Sequence, residues 1–144
     1  MYVDIIDKAA ILFALFAGSR ETGDIERYAD SIVRVGAMAD AQGRGALAVL
    51  LYEAGSSSGR GPGRAVARRR EAAGPNLLIV VAPSPASWLS PSTLRWRSIV
   101  CESFADALIV AGAFRPGSVE VLEQMNQQLA ADPIVRRARS RTRK

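Results

Sequence analysis

Apolar residues fall into short runs along most of the chain, and glycine, proline and charged residues separate these runs. In the first run, YVDIIDKAAILFALFA, the charged pair Asp7 and Lys8 interrupts the apolar pattern as a hairpin turn does. The runs ALAVLLY and NLLIVVA are continuous, which is typical of strands that are covered on both faces. The predicted strands are 2–7, 10–17, 46–52, 76–82 and 98–102.

Elsewhere the apolar residues recur at steps of three and four, as they do on one face of an α-helix. This spacing predicts a helix at 23–41 that packs on the sheet through Ile25, Tyr28 and Ile32. Shorter helices are predicted at 64–73, 103–114 and 118–131.

The predicted order of elements is β-β-α-β-α-β-β-α-α. A hairpin followed by βα units is typical of an α/β fold whose central strands are parallel, because right-handed crossovers connect them. The chain has 144 residues, of which 49% are hydrophobic, and this is enough for one core of ordinary size. We therefore expect a single mixed, mostly parallel sheet with helices packed on it, in one domain at 1–131.

Positive charge is concentrated at the end of the chain. Residues 1–133 hold 13 of the 19 basic residues together with all 14 acids, so this part is close to neutral. The remaining segment is basic and has no aromatic interleaving, which is typical of disorder. We therefore expect 132–144 to be a disordered basic tail that contacts nucleic acid or other anions weakly and nonspecifically. Its candidate contact residues are Arg136, Arg137, Arg139, Arg141 and Arg143.

Several kinds of catalytic chemistry are excluded by composition. The sequence has no histidine, so Ser-His-Asp and Cys-His catalysis and histidine-based metal sites cannot exist. The acids Asp24, Glu26 and Asp30 have the spacing of a solvated helix face. We therefore expect a protein that is not an enzyme and that uses no metal or cofactor. The single cysteine, Cys101, is expected to be a buried strand thiol.

The chain also lacks the sequence features of membrane and secreted proteins. No apolar run reaches the roughly 18 residues that a membrane-spanning helix needs. Asp4 and Asp7 lie where a secretory signal would carry basic residues. A single cysteine agrees with a reducing compartment. The expectation is a cytoplasmic protein without a membrane partner.

The stretch VLLYEAGSSSGRGPGR, residues 49–64, passes from an apolar strand into glycine, serine and arginine. Its glycines do not have the spacing of a P-loop, and Arg60 stands where the P-loop lysine would be. They do not match the dinucleotide-binding fingerprint either. Anion contact at the following helix N-terminus, modification of a serine and a simple turn all remain open.

The order of elements, and the position of SSSG between the strand at 46–52 and a helix, resemble the STAS domain of anti-sigma factor antagonists, also called the SpoIIAA-like fold. The resemblance covers residues 1–114. It implies a STAS-like fold and a domain that works by binding other proteins. In that family the corresponding loop often reads D-S-S-G-[LI], and a partner kinase phosphorylates its first serine.

Carried over to this chain, the resemblance implies that Ser57 is the phosphoacceptor, followed by Ser58 and Gly59. Ser56 replaces the aspartate of the family motif, and Arg60 replaces its apolar residue. In these departures the chain looks like divergent STAS-like proteins of unassigned function from myxobacteria, which keep the order of strands and helices but lack the intact motif.

Arg60, Arg64 and Trp88 are the candidate partner-binding residues, because arginine and tryptophan are common in binding hot spots. Trp96, in contrast, is expected to belong to the core. A phosphate on Ser57 could pair with both arginines and order the loop. We therefore expect a non-enzymatic regulatory or scaffolding domain, a monomer or a homodimer, that binds another protein in a partner-switching pathway. The alternative is a small nucleic-acid-associated protein that uses the basic tail.

Overall fold

Five strands and four helices make up the described part of the chain. The structure, a computed structural model, describes residues 1–17, 23–53, 76–82 and 96–142. Every predicted strand is present, and its ends differ from the prediction by at most one residue. The strands are β1 (Tyr2–Asp7), β2 (Ile11–Phe16), β3 (Leu47–Tyr52), β4 (Leu77–Val81) and β5 (Arg97–Cys101). The helices are α1 (Asp24–Ala41), α2 (Phe104–Phe114), α3 (Ser118–Ala131) and α4 (Pro133–Thr142). The helix predicted at 64–73 lies outside the described residues.

The five strands form one sheet in the order β1-β2-β3-β4-β5. β1 pairs antiparallel with β2, and β2 to β5 run parallel to one another. This confirms the predicted α/β fold with one mixed, mostly parallel sheet. The carboxyl ends of β2, β3, β4 and β5 therefore lie along one edge of the sheet, which we call the carboxyl edge.

Helices cover both faces of the sheet. On β2, Leu12 and Phe16 pack in the same apolar cluster as the buried side chains of α1. The alternate residues, Phe13 and Leu15, belong to the opposite cluster, with buried side chains of α2, α3 and α4. All residues of β2 and β3 are buried. Burial on both faces explains why these strands are apolar throughout and do not alternate with polar residues.

Helix α1 packs on the sheet through Tyr28 and Ile32, as predicted, but not through Ile25. The first two residues are each 1% exposed, whereas Ile25 is only partly buried and lies outside the core cluster. At the start of the helix the inward positions belong to Asp24 and Tyr28, which are four residues apart, and Ile25 points about 100° away from Asp24. Trp96 is 2% exposed and belongs to the core, as predicted.

The expected disordered tail is wrong for residues 133–142, which form α4. Asp132 begins the helix, because its Oδ1 accepts a hydrogen bond from the Ile134 N–H at 2.8 Å, and Pro133 occupies the first helical position. Val135 is fully buried and Ala138 packs against the same cluster. These two residues give the basic segment a narrow apolar face, so the folded body extends beyond residue 131.

Arg115, at the end of α2, joins two turns at the amino ends of β2 and β3, opposite the carboxyl edge of the sheet. Its guanidinium donates hydrogen bonds to the carbonyl oxygens of Ala9, at 2.5 Å, and Gly45. Ala9 lies in the β1–β2 turn, where Asp7 Oδ2 accepts a bond from the Ala9 N–H at 2.8 Å. Burial lowers the pKa of Arg115. No motif predicted this role, because its partners are backbone carbonyls far away in the sequence.

Candidate partner surface at the carboxyl edge

Four segments of the chain leave the sheet at the carboxyl edge, and the one after β5 leads directly into α2. The other three follow Ala17 at the end of β2, Glu53 at the end of β3 and Ala82 at the end of β4, and they continue into residues outside the described ranges. The ends of these strands are neighbours, since Phe16 pairs with Tyr52 and Leu51 pairs with Val81. In open α/β sheets, ligands bind outside the carboxyl ends of the strands.

The residues predicted to bind a partner belong to two of these segments. Ser57, Arg60 and Arg64 follow Glu53, and Trp88 follows Ala82. All four lie outside the described residues, so their roles stay predictions. Because β3 and β4 are adjacent and parallel, their two segments begin side by side at the carboxyl edge.

Helix α4 brings part of the basic segment to the same edge. The Arg139 Nε lies 2.8 Å from Glu53 Oε1 and donates a hydrogen bond to it. The side chains of Arg139 and Glu53 are 27% and 28% exposed. Glu53 is the last described residue before the segment that holds Ser57. The ion pair thus joins the C-terminal helix to the start of the predicted partner loop.

The other tail arginines differ in position. Arg136 and Arg137 are exposed on α4. Arg141 also lies within α4, but its side chain is outside the described part of the structure, as is Arg143. The structure therefore groups four of the five predicted tail residues on one helix. Of the three whose side chains are described, Arg136 and Arg137 are exposed to a partner from solution and Arg139 is paired.

A buried ion pair fixes the start of α1 near the carboxyl edge. Asp24 is completely buried, and its Oδ2 lies 3.4 Å from the ammonium group of Met1. Its other oxygen accepts a hydrogen bond from Arg27. The Met1 ammonium also donates a hydrogen bond to the Ala17 carbonyl, at 2.8 Å. The expectation of a solvated face is wrong for Asp24 and right for Glu26 and Asp30, which are exposed.

A second polar contact joins α1 to β1. Asp4 Oδ2 accepts hydrogen bonds from the hydroxyl groups of Tyr2, at 2.8 Å, and Ser31. Burial, and secondarily the charge of Asp4, raise the pKa of Tyr2 far above its ordinary value. Tyr2 therefore remains a proton donor to Asp4 at physiological pH. Ser31 is 9% exposed, and its bond to Asp4 holds the helix to the strand.

Aromatic rings fill the core beneath this part of the edge. The ring centroids of Tyr2 and Phe16 are 4.9 Å apart, and Phe16 lies 5.6 Å from Tyr28 and 5.8 Å from Tyr52. Tyr2, Phe16 and Tyr52 lie on the neighbouring strands β1, β2 and β3, and Tyr28 lies on α1. Edge-to-face and tilted contacts of this kind restrict ring positions. The end of β3, from which one of the predicted partner segments departs, is therefore held by the contact of Tyr52 with Phe16.

Cys101 is buried at the end of β5, which confirms the prediction of a buried strand thiol. Burial, and then the charge of Asp106, raise the pKa of this thiol. A raised pKa keeps the sulfur protonated at neutral pH, and the thiol form is a poor nucleophile.

Neither a metal cluster nor a membrane span is found in the described residues. Within those ranges, no group of three or more His, Cys, Asp or Glu side chains could hold a metal ion. None of the helices in the same part of the chain has the length and apolar character needed to cross a membrane.

Comparisons of the chain with protein families, with curated proteins and with solved structures find no match. The choice among functions therefore depends on the chemistry of the residues at the carboxyl edge.

Proposed function

We propose that this chain is a non-enzymatic regulatory or scaffolding domain of STAS-like fold, which binds another protein in the cytoplasm through the carboxyl edge of its sheet. The observation that carries the proposal is the adjacency of β3 and β4, because it starts the segments of residues 54–75 and 83–95 side by side. These segments contain the candidate contact residues Arg60, Arg64 and Trp88.

The rigid support beneath this edge favours a binding role. The buried Asp24 pair and the aromatic contacts of Phe16 fix the strand ends before any partner arrives. A preorganised scaffold with contact residues on loops is how many binding domains avoid the entropic cost of ordering a whole surface. Phosphorylation of Ser57 would add charge next to Arg60 and Arg64, and we propose it as the switch of a partner-switching pathway.

The experiment is a binding titration with a partner purified from the native organism. The triple variant Arg60→Ala, Arg64→Ala and Trp88→Ala should weaken the affinity about tenfold or more, because these residue types dominate hot spots. Arg34→Ala is the matched control, since it removes an exposed arginine from α1, away from the carboxyl edge. Equal weakening by the control and the triple variant would contradict the proposed surface.

The switch is tested separately with Ser57→Asp and Ser57→Ala. The charged variant should change the affinity several-fold relative to the alanine variant, while both keep the melting temperature of the wild type. Equal affinities would reject the switch and leave the binding surface in place. The mass of the complex in light scattering would show whether a monomer or a homodimer binds.

A second candidate function is nucleic-acid association through α4. The observation that favours it is the exposure of Arg136 and Arg137 on a helix that is docked to the body. Arginines on a fixed helix can follow a phosphate backbone without the cost of ordering a flexible tail.

A further inference from the structure

The described arginine side chains of α4 differ in whether they form an ion pair with a carboxylate. Arg136 and Arg137 are exposed, and Arg136 Nε donates a hydrogen bond to the Ala130 carbonyl at 3.1 Å. In the described part of the chain, no carboxylate forms an ion pair with either side chain. Arg139, in contrast, is paired with Glu53 at 2.8 Å. Two arginines are thus available to an external anion, and a third is held by an internal one.

The Arg139–Glu53 pair can be exchanged without unfolding the helix. Both side chains are more than a quarter exposed, so water and salt reach the pair and screen it. The helix itself is anchored by Val135, which is fully buried, and by Ala138. Arg139 can therefore turn from Glu53 to another anion while α4 stays docked.

The chemistry of α4 favours a nucleic-acid duplex as the anion. The guanidinium group binds phosphate oxygens in bidentate fashion, and a duplex offers a regular array of them. An amphipathic helix that enters a membrane needs an outward apolar face. The Val135 side chain points into the core instead, and the exposed apolar residue described on α4 is Ile134. The surface therefore suits a polyanion better than a lipid bilayer.

We propose that α4 binds the phosphate backbone of a nucleic-acid duplex through Arg136 and Arg137, and that Glu53 competes with the duplex for Arg139. This inference rests on the second candidate function and adds its regulation. Glu53 acts as an internal substitute for a phosphate, which lowers the affinity for nucleic acid.

The test measures binding of the full chain to a short DNA duplex over a series of salt concentrations. Each released counterion contributes about 0.9 to the slope of log affinity against log salt. Arg136→Ala with Arg137→Ala should therefore reduce that slope by about two. Glu53→Gln should tighten binding several-fold and steepen the slope by about one.

Glu123→Gln is the matched control, because Glu123 is an exposed glutamate on α3 and its loss changes the net charge by the same amount. It should leave the slope unchanged. In a double-mutant cycle, Glu53→Gln should give no gain in affinity for the duplex when Arg139 is already replaced by Gln. Melting temperatures of all variants establish that each one is folded.

The outcomes separate the inference from the function on which it rests. Failure of the wild type to bind the duplex even at low salt would overturn both. Binding that depends on Arg136 and Arg137 but responds equally to Glu53→Gln and Glu123→Gln would overturn the competition alone. Binding to anionic lipid vesicles in place of the duplex would overturn the choice of nucleic acid.

Discussion

Two carboxylates, Asp24 and Glu53, each attach a helix near the carboxyl edge of the sheet, and their surroundings differ sharply. Asp24 is completely buried and is paired with the Met1 ammonium and with Arg27. Glu53 is 28% exposed and pairs with Arg139. The Asp24 pair joins the start of α1 to the first residue of the chain, and the Glu53 pair joins the end of β3 to α4. Only the Asp24 carboxylate is completely removed from water.

This difference in burial separates two roles for an ion pair. A buried carboxylate that loses its partner retains an uncompensated charge, so breaking the pair is strongly destabilising. A pair whose side chains are about a quarter exposed exchanges its partners with water and salt at little cost. We therefore assign Asp24 to the stability of the fold, and we propose a regulatory role for Glu53.

The largest effect is expected from Asp24→Asn. The change leaves the Met1 ammonium, whose side chain is 14% exposed, without its carboxylate, and the loss of stability should be about 3 kcal/mol. Urea denaturation measures it. Asp40→Asn is the control, since Asp40 is exposed on the same helix and its replacement should change the stability by less than about 0.5 kcal/mol. Equal losses in the two variants would show that burial does not set the role of Asp24.

The anchoring of α4 is tested next, with Val135→Ala. Val135 is fully buried, so the loss of two methyl groups and the resulting cavity should cost about 1–2 kcal/mol in denaturant unfolding. Ile134→Ala is a matched control on the neighbouring residue, which is 61% exposed and should lose less than about 0.5 kcal/mol. If the stability were indifferent to Val135→Ala, α4 would not be a docked helix, and its arginines would behave as a free tail.

The fold was predictable from the sequence because the patterns that indicate its strands and helices lie within single short segments of the chain. The continuous apolar runs of β2 and β3 result from burial on both faces of the sheet. The three-and-four spacing of α1 results from the packing of one helix face on the sheet. Helix α4 was not predictable in the same way. Its apolar face consists of little more than Val135 and Ala138 among arginines, and the surface that receives them exists only after α3 has packed on the sheet.

The polar contacts of the candidate site also depend on pairing between distant parts of the chain. Asp24 is buried because the β1–β2 hairpin brings Met1 beside Ala17, and the spacing of acids along α1 contains no sign of this. Glu53 meets Arg139 for a similar reason, since the two are 86 residues apart. Burial of Cys101, in contrast, was predictable from the strand-like run SIVC in which it lies.

A smaller effect is expected from Tyr2→Phe, which removes one of the two hydroxyl groups that donate to the Asp4 carboxylate and leaves the bond from Ser31 of α1 in place. Loss of the hydrogen bond to Asp4 should cost about 1 kcal/mol at neutral pH. The pKa of Tyr2 is raised in the folded state above its ordinary value of 10.0, so its hydroxyl stabilises the fold below pH 10 and this contribution is lost as the pH rises further. The difference in stability between wild type and variant should therefore narrow above pH 10. A constant difference over this range, in denaturant titrations, would contradict the assignment.

The smallest effect on stability is expected from Glu53→Gln. Its partner, Arg139, is 27% exposed, so after the change the guanidinium is hydrated in place and the loss should be below about 1 kcal/mol. Salt at about 1 M should reduce even this difference, because the Debye length there, about 3 Å, is comparable with the separation of this water-exposed pair. The loss caused by Asp24→Asn should persist in the same salt series, since its carboxylate is completely buried. Denaturant titrations of both variants at low and high salt measure the contrast. A loss of several kcal/mol for Glu53→Gln that resists salt would make this pair a structural one like that of Asp24, and Arg139 would then be unable to exchange Glu53 for a phosphate.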